Sequence, residues 1–249
     1  MKKIFVIVCM CMAVATAAVA QSLPQGLGIQ IGFAEPIMRL NSSDPNMPKD
    51  SLVNKTIMNG MKVGLVYDAA IVKGFGATVG INYTFAAGST NWSKKSPSQP
   101  AEYPQNKEKV FYNQLELFVD WQYKFEIAKE TYIILYTGPS IQCAVEMSKR
   151  VFEKENPTGD VTNKGKVSCF DYTDSEMAHD YQRMNVTWGV GAGFQYERYF
   201  LRGGYDFGLM NPYKVGNFNE MEINYSLDRR TRGRLDQWNI RLGIYLWNN

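Results

Sequence analysis

The sequence predicts an all-β fold, an antiparallel up-and-down transmembrane β-barrel of about eight strands. Three observations support this prediction. Apolar and polar residues alternate with a period of two, the polar rows consist of small and amide side chains, and long connections alternate with short ones along the chain. A tilted strand that crosses a membrane needs about 9–11 residues, and most of the alternating segments are close to that length.

Apolar residues recur at every second position in eight segments of the chain. In 184–197, for example, Trp188 and Val190 alternate with Gly189 and Gly191. The eight segments cover residues 27–34, 61–68, 75–85, 114–123, 131–147, 184–197, 201–209 and 237–246. A period of two is the pattern of a β-strand whose two faces meet different surroundings.

The fifth segment departs from simple alternation. Its first part is apolar on both faces, which predicts a β-bulge at Gly138-Pro139. Beyond that point Val145 and Met147 fall on the apolar row and Glu146 falls on the polar row.

The polar rows are predicted to face the barrel interior. The row from Asn185 to Gly193 consists of Asn, Thr and Gly side chains. A surface in bulk water would carry many more Lys and Glu residues, whereas small residues fit the crowded centre of an eight-stranded barrel. The apolar rows are therefore predicted to face lipid.

The connections fall into two length classes. The long, polar connections are 41–57, 88–109, 148–182 and 211–233. The short connections are 69–74, 126–130 and 197–199. This order places both termini and the short turns on the periplasmic side and the long loops outside the cell. Segment 148–182 is expected either to project as a mobile arm or to fold back over the barrel mouth.

Aromatic residues are predicted to form two girdles at the membrane interfaces, although their strand propensity alone gives a second interpretation. Those near the short turns are Tyr67, Phe75, Tyr123, Phe125, Tyr196 and Tyr199. Those toward the long loops are Tyr83, Phe85, Phe111 and Phe207.

Residues 1–20 have the pattern of a cleavable signal peptide. Lys2 and Lys3 precede an apolar run over 4–14, and Ala18-Val19-Ala20 supplies small residues before a cleavage site. The run is too short to span a bilayer as a helix. The mature protein is predicted to be one barrel domain, residues 21–249.

The mature composition limits the kinds of partner. Without Lys2 and Lys3, 25 basic residues face 24 acidic ones, so no strong field attracts nucleic acid. Cys143 and Cys169 remain, and they either pair once in an oxidising compartment or are incidental thiols.

Several stretches resemble a known family. Residues 188–197 followed by 201–206, and 115–125 followed by 136–140, resemble the outer-membrane β-barrel domain proteins of Bacteroidota, a group called porin-family or PorT-like. The last strand, ending at 244–247, resembles the aromatic-ended strand that the barrel-assembly machinery recognises, here with two asparagines after the last aromatic. The resemblance implies an outer-membrane barrel, assembled by that machinery, and no common activity.

Charged residues on the polar rows predict a network in the lumen. They are Lys62, Glu116, Asp120, Glu146, Glu197, Arg202, Asp206 and Arg241. Buried charges must be paired or hydrated. Counting from the short turns predicts that Asp206 pairs with Arg241 and that Arg202 pairs with Glu197. Such a network would plug the lumen, with a narrow selective pore as the alternative.

The loops offer little for catalysis or cofactors. His179 lies in a polar loop with Asp174, where the rigid placement that nucleophilic catalysis requires is not expected. One His and two distant Cys do not make a zinc site, and Asp171, Asp174 and Glu176 give only a weak calcium pattern. No enzyme activity and no cofactor are predicted.

Four functional hypotheses follow from the sequence. The first is an integral outer-membrane protein with a structural, adhesive or partner-binding role through its loops. The others are a narrow porin for small solutes, an outer-membrane enzyme acting on lipid, and a soluble periplasmic barrel that binds a ligand. The expected partners are outer-membrane lipid, the barrel-assembly machinery and a protein or surface ligand at the loops.

Overall fold

The computed structural model describes residues 26–41, 55–72, 74–89, 105–155, 159–170, 181–212 and 232–246. The strands are β1 Gly26–Asn41, β2 Lys55–Val72, β3 Phe75–Ser89, β4 Gln105–Ala128, β5 Thr131–Lys154, β6 Val161–Ser168, β7 Met184–Tyr196, β8 Tyr199–Gly208 and β9 Arg232–Tyr245. In this part of the chain no helix is long and apolar enough to cross a membrane.

Eight of these strands close into a ring. Each pairs antiparallel with the next along the barrel wall, β5 with β7 included, and β1 pairs with β9 to complete the circle. β6 pairs only with the end of β5, over residues 148–154, and so is not part of the ring. The predicted all-β, up-and-down antiparallel barrel is confirmed.

The short connections gather at one end of the barrel, as predicted. Lys129 and Glu130 join β4 to β5, while Glu197 and Arg198 join β7 to β8. Glu130 and Glu197 have left-handed φ angles of 57° and 51°, which let the chain reverse within two residues. Gly74, between β2 and β3, also has a positive φ.

At the other end the strands run further than the sequence predicted. The expected loops 41–57, 88–109 and 211–233 lose residues to the starts of β2, β4 and β9. The ladders continue there, with Ile37 opposite Ile57 and Ser89 opposite Lys109. The extensions are more polar than the barrel wall, and period-two hydrophobicity therefore did not reveal them.

The described part of segment 148–182 begins as a hairpin. β5 continues to Lys154, and β6 returns beside it from Val161 to Ser168. Residues 171–180, where the alternative of folding over the mouth would be decided, lie outside the described residues.

The predicted bulge at Gly138-Pro139 was wrong. The β4–β5 ladder keeps one register on either side of these residues, from Phe118 opposite Ser140 to Trp121 opposite Thr137. Both faces are apolar there for another reason, because Tyr136 points inward and Ile133 and Leu135 point outward.

The ladder shifts register elsewhere, once beside the short turn at Glu126/Ala128 and once nearer the mouth. Asn113 opposes Glu146, whereas Gln114 opposes Ala144, so Val145 is the extra residue of a β-bulge. Because a bulge reverses the alternation that follows it, Met147 is buried in the interior rather than on the outer row where the sequence placed it.

The outer wall carries the apolar rows. Leu117 is 55% exposed and Leu65 is 51% exposed, values that no water-facing barrel wall would repeat along every strand. The six aromatic residues near the short turns are all exposed as well, in the position of a girdle.

The interior has an apolar zone at the mouth and a polar zone below it. The buried apolar side chains near the mouth are Met38, Met58, Ala86, Val110, Tyr112, Ala144, Met147, Cys169, Phe170, Tyr181 and Leu235. The period of two predicts polar and small residues for the whole interior, and the apolar zone at the mouth differs from that prediction. The strands continue beyond the apolar outer band, and a barrel wall that meets water keeps its apolar side chains inside.

Candidate functional site

The polar zone of the lumen is built from buried charges on the inward rows. Lys62 of β2 and Glu116 of β4 form an ion pair, with Nζ 2.7 Å from Oε2. The Asn82 amide of β3 donates to the same oxygen at 2.8 Å. Lys62 is 1% exposed and Glu116 is 3% exposed, so both charges depend on these contacts for solvation.

A second pair lies closer to the short turns. Lys124 bonds to Asp68 and also donates to Gln195 Oε1 at 2.9 Å. Asp68 accepts further bonds from Gln122 and, at 3.0 Å, from the Tyr245 hydroxyl. One buried carboxylate thus joins β2 to β4 and β9 across the lumen.

Arg202 of β8 lies beside that pair and is 1% exposed. Its guanidinium donates to Thr78 Oγ1 at 3.0 Å and to Gln122 Oε1 at 2.8 Å. Its charge also lies 5.3 Å from the centre of the Phe200 ring, a cation–π contact. The side chain therefore spans the barrel from β8 to β3 and β4.

Arg241 of β9 occupies the next layer. Its Nη2 donates to the Tyr136 hydroxyl at 3.3 Å and lies 4.0 Å from Asp120 Oδ2. Its guanidinium also stands 5.3 Å from the Phe118 ring centre. Asp206, one layer nearer the mouth, accepts from the Asn239 amide at 3.0 Å.

The two ion pairs predicted by counting residues were wrong. In the β8–β9 register Arg202 lies directly opposite Arg241, and Asp206 lies opposite Gln237. Residues at equal counts from the short turns therefore do not lie opposite each other, because neighbouring strands are staggered. Since like charges opposite each other repel, the two arginines reach away from one another to partners on other strands.

Two predicted lumen residues lie elsewhere. Glu197 is exposed in the β7–β8 turn rather than inside the barrel. Glu146 follows the bulge on β5 and bonds to Lys166 of β6, with 42% of its side chain exposed. The structure brings the other six together: Lys62, Glu116, Asp120, Arg202, Asp206 and Arg241.

Sequence reasoning missed Asp68 and Lys124. Both fall on the inward rows, at even spacing from Lys62 and Glu116, so the period of two could have included them. With them, the described lumen holds equal numbers of cations and carboxylates. The cations are Lys62, Lys124, Arg202 and Arg241, and the carboxylates are Asp68, Glu116, Asp120 and Asp206.

Large side chains fit in this lumen because glycines stand opposite them. A Cβ added to Gly243 would lie 2.1 Å from Phe200 Cζ and 2.6 Å from the Ile29 carbonyl oxygen. At Gly191 the Tyr136 ring would lie 2.3 Å away. The glycines of the inward rows thus provide the volume that Phe200 and Tyr136 fill.

The remaining candidate groups are outside this network. Cys143 is on β5 and Cys169 follows β6, and neither forms a disulfide bond. His179, Asp171, Asp174 and Glu176 lie outside the described residues. Among the residues that are described, no three His, Cys, Asp or Glu side chains are grouped to hold a metal ion.

A closed antiparallel barrel with an apolar outer wall and a polar lumen defines a class, the integral β-barrel proteins of outer membranes. The family described as "outer membrane protein beta-barrel domain" matches residues 19–213, and the chain belongs to this family. It is a protein of the bacterial outer membrane. Comparison with curated proteins found no match.

Solved outer-membrane barrels are similar over most of their length. The attachment invasion locus protein Ail of Yersinia pestis, solved with the heparin analogue sucrose octasulfate, is 9% identical over 89% of this chain and 99% of its own, with a TM-score of 0.34. Neisserial surface protein A is 10% identical over 90% and 100%, with a TM-score of 0.32. The toluene transporter TodX of P. putida is 9% identical over 93% and 92%, with a TM-score of 0.29.

Proposed function

We propose that this outer-membrane barrel is closed in its lumen and acts at the cell surface through its long loops, in a structural, adhesive or partner-binding role. The observation that carries the first half is the density of buried charge in the lumen. Lys62 and Arg202 are each 1% exposed, and each of the four lumen cations in the described part of the chain contacts a polar partner on another strand.

The balance of charge supports a plug rather than a selective pore. A pore that selects ions presents an excess of one sign to a water-filled path. Among the described residues of the lumen, cations and carboxylates are equal in number, and Arg202 crosses from β8 to Thr78 and Gln122 on the far wall. An eight-stranded barrel leaves little more volume than its own side chains occupy.

Planar bilayer recordings test the plug. The wild-type protein is expected to give no steady conductance, whereas Arg241→Ala and Arg202→Ala are expected to open a small one. Arg198→Ala, in the exposed β7–β8 turn, removes an arginine without touching the lumen and is the matched control. A steady conductance of wild type that equals the conductance of both lumen variants would favour the narrow porin and contradict the plug.

The second half of the proposal is supported by the form of the mouth. β5 and β6 make a hairpin that continues beyond the ring, with the ion pair Lys164–Glu153 at 2.8 Å between its two strands. Lys149 of β5 also pairs with Glu108 of β4 at 3.3 Å. A hairpin fixed to the barrel wall gives a surface ligand a rigid support next to the loops. We propose no enzymatic activity for this surface.

We also propose that the chain is processed by a signal peptidase and then assembled in the outer membrane. Cleavage after Ala20 would release a mature domain of residues 21–249, which the barrel-assembly machinery would insert among outer-membrane lipids. The resemblance of residues 188–197 and 201–206 to Bacteroidota proteins supports membership of that subgroup. N-terminal sequencing of the protein from outer membranes tests the cleavage, since a start other than Gln21 would contradict it.

A further inference from the structure

A second ionic cluster lies on the outer wall, near the mouth ends of β1, β8 and β9. Asp236 is on the outward row of β9, two residues from Trp238, yet its side chain is 0% exposed. Arg39 Nε lies 3.2 Å from Asp236 Oδ2, and Arg234 Nε lies 2.8 Å from Oδ1. These three residues, Arg39, Arg234 and Asp236, are named the rim cluster.

The carboxylate holds both guanidinium groups in place. Asp236 also accepts from the Tyr205 hydroxyl at 2.9 Å and from the Gly208 backbone N–H at 3.0 Å, which ties β8 to β9. Both arginines approach it through Nε, and their side chains remain 41% and 45% exposed. A guanidinium fixed on one side and exposed on the other is a preorganised donor for a phosphate group.

The rim cluster stands at the mouth end of an aromatic row, with Phe207 of β8 about level with Asp236. The rings of Phe33 and Trp238 are 5.4 Å apart, and those of Tyr205 and Phe207 are 4.8 Å apart. Such residues mark the boundary between hydrocarbon and headgroups. Asp236 is about 7 Å along the strand from Trp238 at about 3.3 Å per residue. The headgroup layer is about 5–8 Å thick, which puts the cluster at headgroup height.

The local charge is positive. Two guanidinium groups surround one carboxylate, so the rim cluster carries a net charge of about +1. Glu35 is on the same outward row of β1 and lies opposite Trp238, about 7 Å along the strand from Asp236. At about the Debye length of 8 Å at physiological ionic strength, Glu35 offsets only part of this charge.

We propose that the rim cluster binds the phosphate of an outer-leaflet lipid headgroup. The apolar wall of β1, β8 and β9 continues directly below the arginines, with Ile31, Leu201 and Ile240 all exposed. A lipid can place its phosphate on the guanidinium groups and its acyl chains on this wall at once. A free phosphate ion would gain only the first of these contacts.

Binding of phosphatidate to the purified full-length protein in maltoside micelles tests the proposal. The double variant Arg39→Gln with Arg234→Gln is expected to bind phosphatidate about tenfold more weakly than wild type, because two charge-assisted contacts are lost. Arg39→Lys with Arg234→Lys keeps the charge and should retain part of the affinity. Lys164→Gln with Lys166→Gln removes the same charge from β6 and should bind as wild type does.

Two further binding measurements distinguish a lipid phosphate from a free phosphate ion. Diacylglycerol with the same acyl chains should bind no more tightly to wild type than to the double Gln variant. Saturation of the site by inorganic phosphate at the phosphatidate concentration would overturn a lipid site. Equal phosphatidate affinity in wild type and the double Gln variant would show that the rim cluster only fastens strands. If that variant does not fold, Arg234→Gln alone, which leaves Arg39 on Asp236, should bind with intermediate affinity, and wild-type affinity would overturn the proposal.

Discussion

Lys62 on β2 and Glu116 on β4 face each other across β3, with Nζ 2.7 Å from Oε2 and almost no exposed surface on either side chain. Neither strand pairs with the other in the sheet, so the contact spans β3 on the inner face of the wall. The pair therefore joins two strands that share no backbone hydrogen bonds.

Lys62→Met should destabilise the barrel by about 3–5 kcal/mol, because it leaves Glu116 charged, buried and without its cation. The measurement is urea unfolding of the protein refolded into lipid vesicles. The gel mobility of the folded form reports the fraction that remains folded. Adding Glu116→Gln to Lys62→Met should recover most of the loss.

Lys166→Met is the control for this prediction. Lys166 pairs with Glu146 on the surface, where its side chain is 50% exposed, and the substitution should cost no more than about 1 kcal/mol. Similar losses at Lys62 and Lys166 would mean that the lumen pair is hydrated rather than buried.

Gly243→Ala should destabilise the barrel by about 1–3 kcal/mol. The new methyl group would lie 2.1 Å from Phe200 Cζ and 2.6 Å from a backbone oxygen, so both a side chain and a strand would have to move. Gly203→Ala makes the same chemical change where the nearest atom is 3.8 Å away, an ordinary van der Waals distance. Unfolding curves that coincide for the two variants would refute the close packing of Phe200.

Leu65→Arg should cost about 2–4 kcal/mol, because it places a charge on the lipid-facing wall. Val161→Arg on β6 is a matched change at a residue of similar exposure, 52% against 51%, that is outside the ring. We expect it to alter the free energy of unfolding by about 0.5 kcal/mol or less. Equal losses of stability for the two variants would contradict the conclusion that β6 faces water rather than lipid.

Glu146 should titrate at a lower pH than an ordinary glutamate. The hydrogen bond from Lys166 lowers the pKa of its carboxyl group. Since the folded pKa lies below the unfolded one, the pair stabilises the β5–β6 hairpin above the unfolded pKa. That contribution is lost as the pH falls through the folded value. NMR titration of labelled Glu146 measures the shift, and Lys166→Met should raise the pKa; an unchanged pKa would mean that the pair does not form.

The sequence by itself determined the side of the wall to which most residues belong. The period of two assigned Leu65 and Leu117 to the outside and Lys62 and Glu116 to the inside, and the short turns came at the predicted positions. These features are local, because they depend on the pleat of each strand and on the length of each connection.

Only the tertiary structure decided which interior residues meet. Arg241 contacts Asp120 from β4 rather than Asp206 from the adjacent strand, and Arg202 reaches Gln122 in the same way. Those contacts depend on the stagger between neighbouring strands and on the curvature of the closed wall. The bulge at Val145 likewise turned Met147 inward. Stagger, closure and bulges arise from pairing between distant segments, and the hydrophobic pattern of a single strand carries no record of them.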